Sequence, residues 1–247
     1  MVLVRKGIKI PLVLTGNNEK ISYTVNNCYN AAGDILPPFV VYKAQNRLFD
    51  KWGVGGPEKT VYTTSMSGWM EEMQFQQWME NILIPNIKKY EIDHVLILDG
   101  HVTHVNLKVI ELCKNNNIHL ICLPAHSSTV LQPLDVGVYC HVKRVWCAVL
   151  KKFYTETRCS NVDKFTFPLL LARLYTSDDA FRRSHAIYGF KLTGLFPLNQ
   201  QNINKYKLKL AQTFNTPATT TSQLPSTTTI ASQLTPTPTI RDLIDLQ

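Results

Sequence analysis

The chain has 247 residues, of which 45% are hydrophobic, so it can bury a sizeable core and is neither fibrous nor disordered throughout. Its 26 Lys and Arg exceed its 18 Asp and Glu, and the formal net charge is +8. This charge favours a polyanionic partner, with nucleic acid as the leading candidate and an acidic membrane surface as the alternative.

Signals for secretion or membrane insertion are not found in the sequence. The apolar N-terminal stretch is interrupted by Arg5, Lys6 and Lys9. No other segment approaches the roughly 18–20 apolar residues of a membrane span. Six cysteines occur without a CxxC pair, as is typical of a reducing compartment. We therefore expect a soluble, intracellular protein.

A β-hairpin is the first predicted element. Residues 21–29 and 39–42 are rich in β-forming side chains and are separated by the segment AAGD and a Pro pair. This pattern predicts two antiparallel strands with a turn at Gly33. Next, residues 67–90 place Trp69, Met73, Trp78 and Ile82 at helical spacing, which predicts a packed amphipathic helix.

The middle of the chain has the order strand, helix, strand. Apolar runs at residues 95–98 and 118–123 flank a helical segment at 104–115, which predicts a parallel βαβ unit buried on both faces. A further helix is predicted at residues 136–155. Trp146 and Phe153 lie on the stripe of this helix that is expected to face the core.

The C-terminal composition differs from the rest of the chain. Beyond about residue 210 the sequence is rich in Thr, Ser, Pro and Gln, which cannot bury enough apolar surface to offset the ordering entropy. We predict a disordered tail over residues 206–247. Repeat architectures are set aside because no internal repeat is found.

Two acidic residues occupy informative positions. Asp99 follows the run VLIL, which places it at the carboxyl end of a predicted parallel strand, where open α/β sheets bind ligands. Asp135 follows the next strand and an irregular loop, with Pro133 favouring a helix start beside it. Convergent carboxylates suit Mg²⁺ or Mn²⁺, which can support phosphoryl transfer. The alternative is that each Asp is an ordinary turn or capping residue.

Several other side chains are candidates for nucleic-acid or metal contacts. His101 and His104 follow Asp99 and either contact phosphate or orient the metal site, or else make structural hydrogen bonds in a loop. A zinc site is disfavoured because its candidate ligands lack CxxC or HxxxH spacing; these ligands are His101, His104, Cys113, Cys122 and His126. The helix at 136–155 carries basic residues that either track a DNA backbone or form a solvated face; they are Lys143, Arg144, Lys151 and Lys152.

A family resemblance rests mainly on residues 97–146, which read ILDGHVTHVNLKVIELCKNNNIHLICLPAHSSTVLQPLDVGVYCHVKRVW. This run resembles the DDE superfamily endonuclease domain of pogo, Tigger, Jerky and centromere protein B relatives. Weaker similarity extends upstream through AAGDILPPFVVYKAQN and SGWMEEMQFQQWMEN and downstream through KLTGLFPLNQQNI, over roughly residues 5–203. The family usually has LPPHTTHLLQPLD where this chain has LPAHSSTVLQPLD, so Ala125 replaces a Pro and Thr129 replaces a His.

The resemblance implies an α/β, RNase H-like mixed sheet flanked by helices. It also implies that Asp99, in the LDGH segment, and Asp135, in LQPLD, match the second and third metal-binding Asp of the family. The strand that carries the family's first Asp has no match here, so we expect a sheet without its first, central strand and an incomplete metal site. The expected organisation is a remnant segment at 1–15, the endonuclease-like domain at 16–205 and the tail at 206–247.

The implied function is that of a transposase-derived, nucleic-acid-binding domain. Its parental activity would be cleavage or strand transfer of DNA phosphodiesters with Mg²⁺ or Mn²⁺, incomplete in this chain. The alternative is a domesticated DNA-binding or chromatin-associated protein with a non-catalytic domain, and a further one is a module for an acidic partner other than DNA. We expect a nuclear protein that binds DNA, has no membrane association and can form a homodimer.

Overall fold

A computed structural model describes residues 22–45, 47–90, 92–99, 106–124, 127–157, 161–206 and 244–246. Its strands are β1 (Tyr23–Asn26), β2 (Phe39–Lys43), β3 (Val61–Ser65), β4 (His94–Leu98), β5 (Ile118–Cys122) and β6 (Ile244–Leu246). Its helices are α1 (Glu72–Trp78), α2 (Ile84–Ile87), α3 (Leu107–Asn115), α4 (Ser128–Leu131), α5 (Tyr139–Glu156), α6 (Phe167–Tyr175) and α7 (Arg183–Leu192). Two π-helical turns are inserted, at Met79–Leu83 between α1 and α2 and at Leu134–Val138 before α5, and 3-10 turns occur at Asp50–Gly53 and Gln200–Asn202.

The predicted hairpin is confirmed. β1 and β2 are antiparallel, with Tyr23 opposite Tyr42 and Asn26 opposite Phe39. Gly33 forms the turn with φ of +88°, a conformation that glycine adopts without steric cost. β3 adds to β2 in parallel, and β6 adds to β1 in parallel, so this sheet has the order β3-β2-β1-β6.

The sheet is covered on both faces, as the side chains of β2 show. Val40 and Tyr42 pack into a core cluster with residues of α5 and α6. Phe39 and Val41, which alternate with them along the strand, pack into a second cluster with residues of the segment from α1 to α2. Because each face meets helices, the four residues are all fully buried.

The second sheet consists of β4 and β5, which are parallel as predicted, with Leu98 opposite Cys122. The prediction of burial on both faces is wrong. Leu96 and Ile118 belong to the second core cluster, together with Val109 of α3, but Val95 is 58% exposed and Ile121 is 48% exposed. An apolar run predicts a buried strand without telling whether one or both faces are covered, and here the described helices cover one.

The described strands thus form two sheets, not one. With helices packed beside them, the architecture is mixed α/β and consistent with the expected RNase H-like fold. The tail predicted at 206–247 lies mostly outside the described residues. The exception beyond residue 206 is β6, whose backbone pairs with β1 in a strand that the composition does not predict.

The predicted helix at 67–90 is confirmed with a later start. It begins at Glu72, so Trp69 precedes it and is exposed, contrary to the prediction. Met73 is also exposed, because it lies five residues before Trp78 and is rotated about 140° from it at 3.6 residues per turn. The buried stripe contains Phe75, Trp78, Met79, Ile82 and Leu83.

The long helix α5 presents a buried stripe to the first sheet, formed by Tyr139, Val142, Trp146, Leu150 and Phe153. Trp146 packs edge-on against Phe167 of α6, with ring centroids 6.0 Å apart. The prediction that Trp146 and Phe153 are core residues is confirmed. In the described part of the chain, no helix has both the length and the apolar character that crossing a membrane requires.

Candidate functional site

Asp99 lies directly after β4, at the carboxyl end of the second sheet, and is half-buried. The chain that leaves β5 is fixed to the same end, because the Leu123 N–H donates to the Leu98 carbonyl at 2.7 Å. The segment that leads from β5 towards Asp135 therefore starts beside Asp99. This is the strand-end position that the sequence predicts for a ligand-binding residue.

Asp135 lies in the π-helical turn that precedes α5, two residues after Pro133. The turn continues into α5 without a break, since the Tyr139 N–H donates to the Leu134 carbonyl. Asp135 is accessible at the surface, although the surrounding protein atoms still partly desolvate its carboxylate. The long helix thus holds this carboxylate at its amino-terminal end.

The two carboxylates interact electrostatically. The pKa of Asp135 is raised above its usual value, mainly by desolvation, and the negative charge of Asp99 raises it further, whereas Lys143 lowers it. Thirty-five residues lie between Asp99 and Asp135, so the fold brings together charges that are distant in the chain. A metal cation close to both carboxylates would be attracted by their negative charges, as the positive charge of Lys143 is attracted by Asp135.

A buried tyrosine that the sequence patterns do not predict lies close to Asp135. Tyr139 lies one helical turn after Asp135 and is buried, and burial first and the charge of Asp135 second raise its pKa well above the usual value. Tyr139 therefore remains a neutral phenol. Beside it, the Tyr175 hydroxyl donates to the Asn27 side-chain oxygen at the end of β1. The spacing of four residues between Asp135 and Tyr139 is the signal that could have revealed their proximity.

The four basic candidates of α5 are all exposed, but they have different neighbours. Arg144 forms an ion pair with Asp179. The Lys152 ammonium lies 3.8 Å from the Glu156 carboxylate. The positive charge of Lys143 lowers the pKa of Asp135. The helix therefore does not present a continuous basic face of four equivalent charges. Each of the four residues either contacts DNA or forms part of a solvated surface, and the two alternatives apply to each residue separately.

The remaining sequence candidates are not brought together in the described residues. His101, His104 and His126 lie outside the described residues. Of the other proposed zinc ligands, Cys113 is buried in the second core cluster and Cys122 is exposed on β5. In the described part of the chain, one His/Asp group converges, His141 with Asp179 and His185, and no such group includes Asp99 or Asp135.

Comparisons with known proteins agree on the central part of the chain. The family model of the DDE superfamily endonuclease matches residues 18–181. A Cochliobolus lunatus protein named MFS-type transporter clz9 is 32% identical over 191 residues, which is 76% of this chain and 20% of that protein. A Mus musculus protein named Pogo transposable element with KRAB domain is 28% identical over 140 residues, 54% of this chain and 22% of that protein. The chain thus spans about a fifth of these curated relatives, and no solved structure matches it.

Proposed function

Because the chain belongs to the DDE superfamily endonuclease family, we propose that it binds DNA and that Asp99 and Asp135 bind Mg²⁺ or Mn²⁺. The domain is of transposase origin, as the similarity to the pogo-type protein indicates. The observation that carries the assignment is the position of the two residues: Asp99 directly follows β4, the Leu123 to Leu98 hydrogen bond fixes the chain leaving β5 at the same end, and Asp135 lies in the turn before α5. The negative charge of Asp99, which raises the pKa of Asp135, agrees with this. The nucleus is the proposed location, since this is where a DNA partner would be met.

The donor set fits the proposed ions. Both residues offer carboxylate oxygens, which hard divalent cations prefer. Asp99 directly follows β4 and Asp135 lies within the π-helical turn before α5, so regular structure fixes the backbone of each. When bound, the metal would act as a Lewis acid that polarises a phosphoryl oxygen. Asp99 and Asp135 would hold the ion, and Lys143 would attract the phosphate.

The proposed site is incomplete in the described residues. No third His, Cys, Asp or Glu in this part of the chain converges with Asp99 and Asp135. Two carboxylates leave most coordination positions of an octahedral ion to water and substrate, so we expect weak binding. We therefore propose that efficient DNA cleavage needs a carboxylate from outside the described residues.

Direct metal titration tests the assignment. Mn²⁺ affinity is measured for the 247-residue chain and for Asp99→Asn, Asp135→Asn and the control Asp50→Asn, which changes an exposed Asp in a 3-10 turn. We expect each of the first two variants to lose about tenfold or more in affinity, since even outer-shell changes cost this much. The control should match the wild type. Equal Mn²⁺ affinity in all four proteins would overturn the assignment.

Plasmid nicking tests the claim that the site is incomplete. We expect no efficient Mn²⁺-dependent nicking by this chain. Robust nicking that Asp99→Ala abolishes would contradict incompleteness while supporting the assignment of Asp99 to the metal site.

A non-catalytic DNA-binding protein is the second candidate, and the missing third ligand among the described residues favours it. It predicts duplex-DNA binding that weakens with salt and persists in Asp99→Asn and Asp135→Asn. The absence of binding to excess duplex DNA at low salt would overturn both candidates and leave an acidic partner of another kind. A homodimer stays a prediction, to be checked by light scattering.

A further inference from the structure

Two segments that are distant in the chain form one surface, and each presents an exposed phenylalanine. Phe49 precedes the 3-10 turn after β2 and is 52% exposed, whereas Phe165 precedes α6 and is 53% exposed. The Lys164 ammonium joins the two segments, because it donates to the Lys43 carbonyl oxygen at 2.6 Å and lies 4.2 Å from the centre of the Trp52 ring. The two phenylalanines are therefore held on one surface.

Aromatic rings and cations alternate along this surface. The Arg47 guanidinium carbon lies 5.7 Å from the centre of the Phe49 ring, and Phe49 packs edge-on against Trp52 with ring centroids 4.9 Å apart. Trp52 is buried and belongs to the first core cluster. The Tyr42 hydroxyl donates to the Trp52 carbonyl oxygen at 2.9 Å, which ties the turn to β2. Phe49 is thus an exposed ring on a fixed support.

The surface has an excess of positive charge. Its basic residues are Lys43, Arg47, Lys51 and Lys164. Its acidic residues are Asp50 and Asp163. One oxygen of the Asp163 carboxylate is occupied within its own turn, because it accepts from the Phe165 and Thr166 N–H groups and from the Thr166 hydroxyl. The charges therefore favour a negatively charged partner.

We propose that this surface binds single-stranded nucleic acid, with Phe49 and Phe165 stacking on unpaired bases and the basic side chains contacting phosphates. Proteins that bind single strands combine exposed aromatic rings with cations that follow the backbone. Bases of a duplex are already stacked on one another, so the rings select unpaired bases. The excess positive charge repels a second copy of this chain, whose formal net charge is +8.

The Arg47 guanidinium does not block the Phe49 ring. Arg47 is exposed, and cation–π contacts at exposed sites are weak. Its guanidinium can therefore exchange the ring for a phosphate or for the face of a base. The Lys164 ammonium stays with Trp52 and the Lys43 carbonyl oxygen and adds its charge from there.

This inference goes beyond the proposed function, because the surface includes neither the two carboxylates nor the lysines of α5. Binding of duplex DNA by α5 and binding of unpaired bases by Phe49 and Phe165 are separate properties. Each property is measured with its own ligand, so one can fail while the other holds.

Fluorescence anisotropy tests the proposal on the 247-residue chain with a labelled oligodeoxythymidylate of about 12 nucleotides, and with an oligouridylate of the same length as the RNA arm. We expect Phe49→Leu and Phe165→Leu each to weaken binding about fivefold or more, because leucine is apolar but offers no ring to stack. Their affinity for duplex DNA should be unchanged. The matched control is Phe196→Leu, at a phenylalanine that is 60% exposed outside this surface, which should retain wild-type affinity.

Lys51→Gln keeps the test decisive if the phenylalanine variants unfold, which circular dichroism would reveal. Lys51 is exposed, so its substitution should leave the fold intact. Loss of one phosphate contact should lower the slope of log K against log salt by about 0.7 for a single strand. In that case an unchanged slope would overturn the proposal.

Three further outcomes would overturn the proposal. They are the absence of binding to both oligonucleotides at low salt, wild-type affinity in both folded phenylalanine variants, and equal competition by polyglutamate, which would assign the surface to an acidic protein partner. Binding of duplex DNA without binding of single strands would overturn this proposal alone. Ring-dependent binding of single strands without binding of duplex DNA would support it and contradict the proposed duplex binding.

Discussion

Gly137 and Gly189 meet where α7 crosses the turn that carries Asp135, and a Cβ on Gly137 would lie 2.7 Å from the Gly189 Cα. In the opposite direction, a Cβ on Gly189 would lie 2.2 Å from the Pro133 carbonyl oxygen. The neighbouring atoms belong to the backbone, which cannot yield as a flexible side chain does. The position of Asp135 therefore depends on a contact that only two glycines allow.

Gly189→Ala tests this contact. Alanine would improve helix propensity by about 1 kcal/mol, but the clash with the Pro133 carbonyl opposes this gain. We expect a net loss of about 1–3 kcal/mol in the free energy of unfolding, as is typical of overpacking. Urea denaturation measures it. The control Ser184→Ala, at an exposed position of α7, should stay within about 0.5 kcal/mol of wild type. Wild-type stability of Gly189→Ala would contradict the close packing.

Elements that are defined by a local sequence pattern were predicted correctly. The hairpin follows from strand residues on either side of Gly33, and the parallel pairing of β4 with β5 follows from two short apolar runs around a helix. These features depend on residues close in the chain. The exposure of Val95 and Ile121 depends on which distant elements cover the sheet, and an apolar run carries no such information.

The candidate site likewise combines features that local sequence predicts with features that depend on residues distant in the chain. Asp99 could be assigned to a strand end from its position. Strand placement made its convergence with Asp135 plausible, and the family resemblance then matched both residues to metal-binding positions of the family. The contact between His141 and His185 was not predicted, because residues on two separate helices share no local spacing and their contact depends on how α7 packs. Convergence of this kind requires the tertiary structure.

Adjacent residues of β4 test the one-sided burial of the second sheet. Leu96 is 8% exposed and Val95 is 58% exposed. We expect Leu96→Ala to lower the free energy of unfolding by about 2–5 kcal/mol, because it leaves a cavity in the second core cluster. Val95→Ala, as the matched change on the other face, should cost no more than about 0.5 kcal/mol. Similar losses for the two variants would show that both faces are buried.

The lysines of α5 test the DNA proposal. If Lys143 and Lys151 contact phosphates, Lys143→Gln and Lys151→Gln should each weaken duplex binding and lower the slope of log K against log salt by about 0.9. Fluorescence anisotropy at several salt concentrations measures both quantities. Lys108→Gln, on an exposed position of α3, is the matched control for loss of one charge. Slopes equal to that of the control would assign the lysines to a solvated face.

The charges of Asp99 and Lys143 predict that substitution of these two residues shifts the pKa of Asp135 in opposite directions. In the metal-free protein, Asp99→Asn removes the negative charge that raises the pKa of Asp135, so that pKa should fall. Lys143→Gln removes the positive charge that lowers it, so the same pKa should rise. Carboxyl carbon chemical shifts recorded across a pH titration measure both changes. Glu111→Gln, at an exposed position of α3, should leave the pKa of Asp135 unaltered. If neither substitution at Asp99 or Lys143 moves the pKa of Asp135, the three side chains are not neighbours, and the proposed metal site is contradicted.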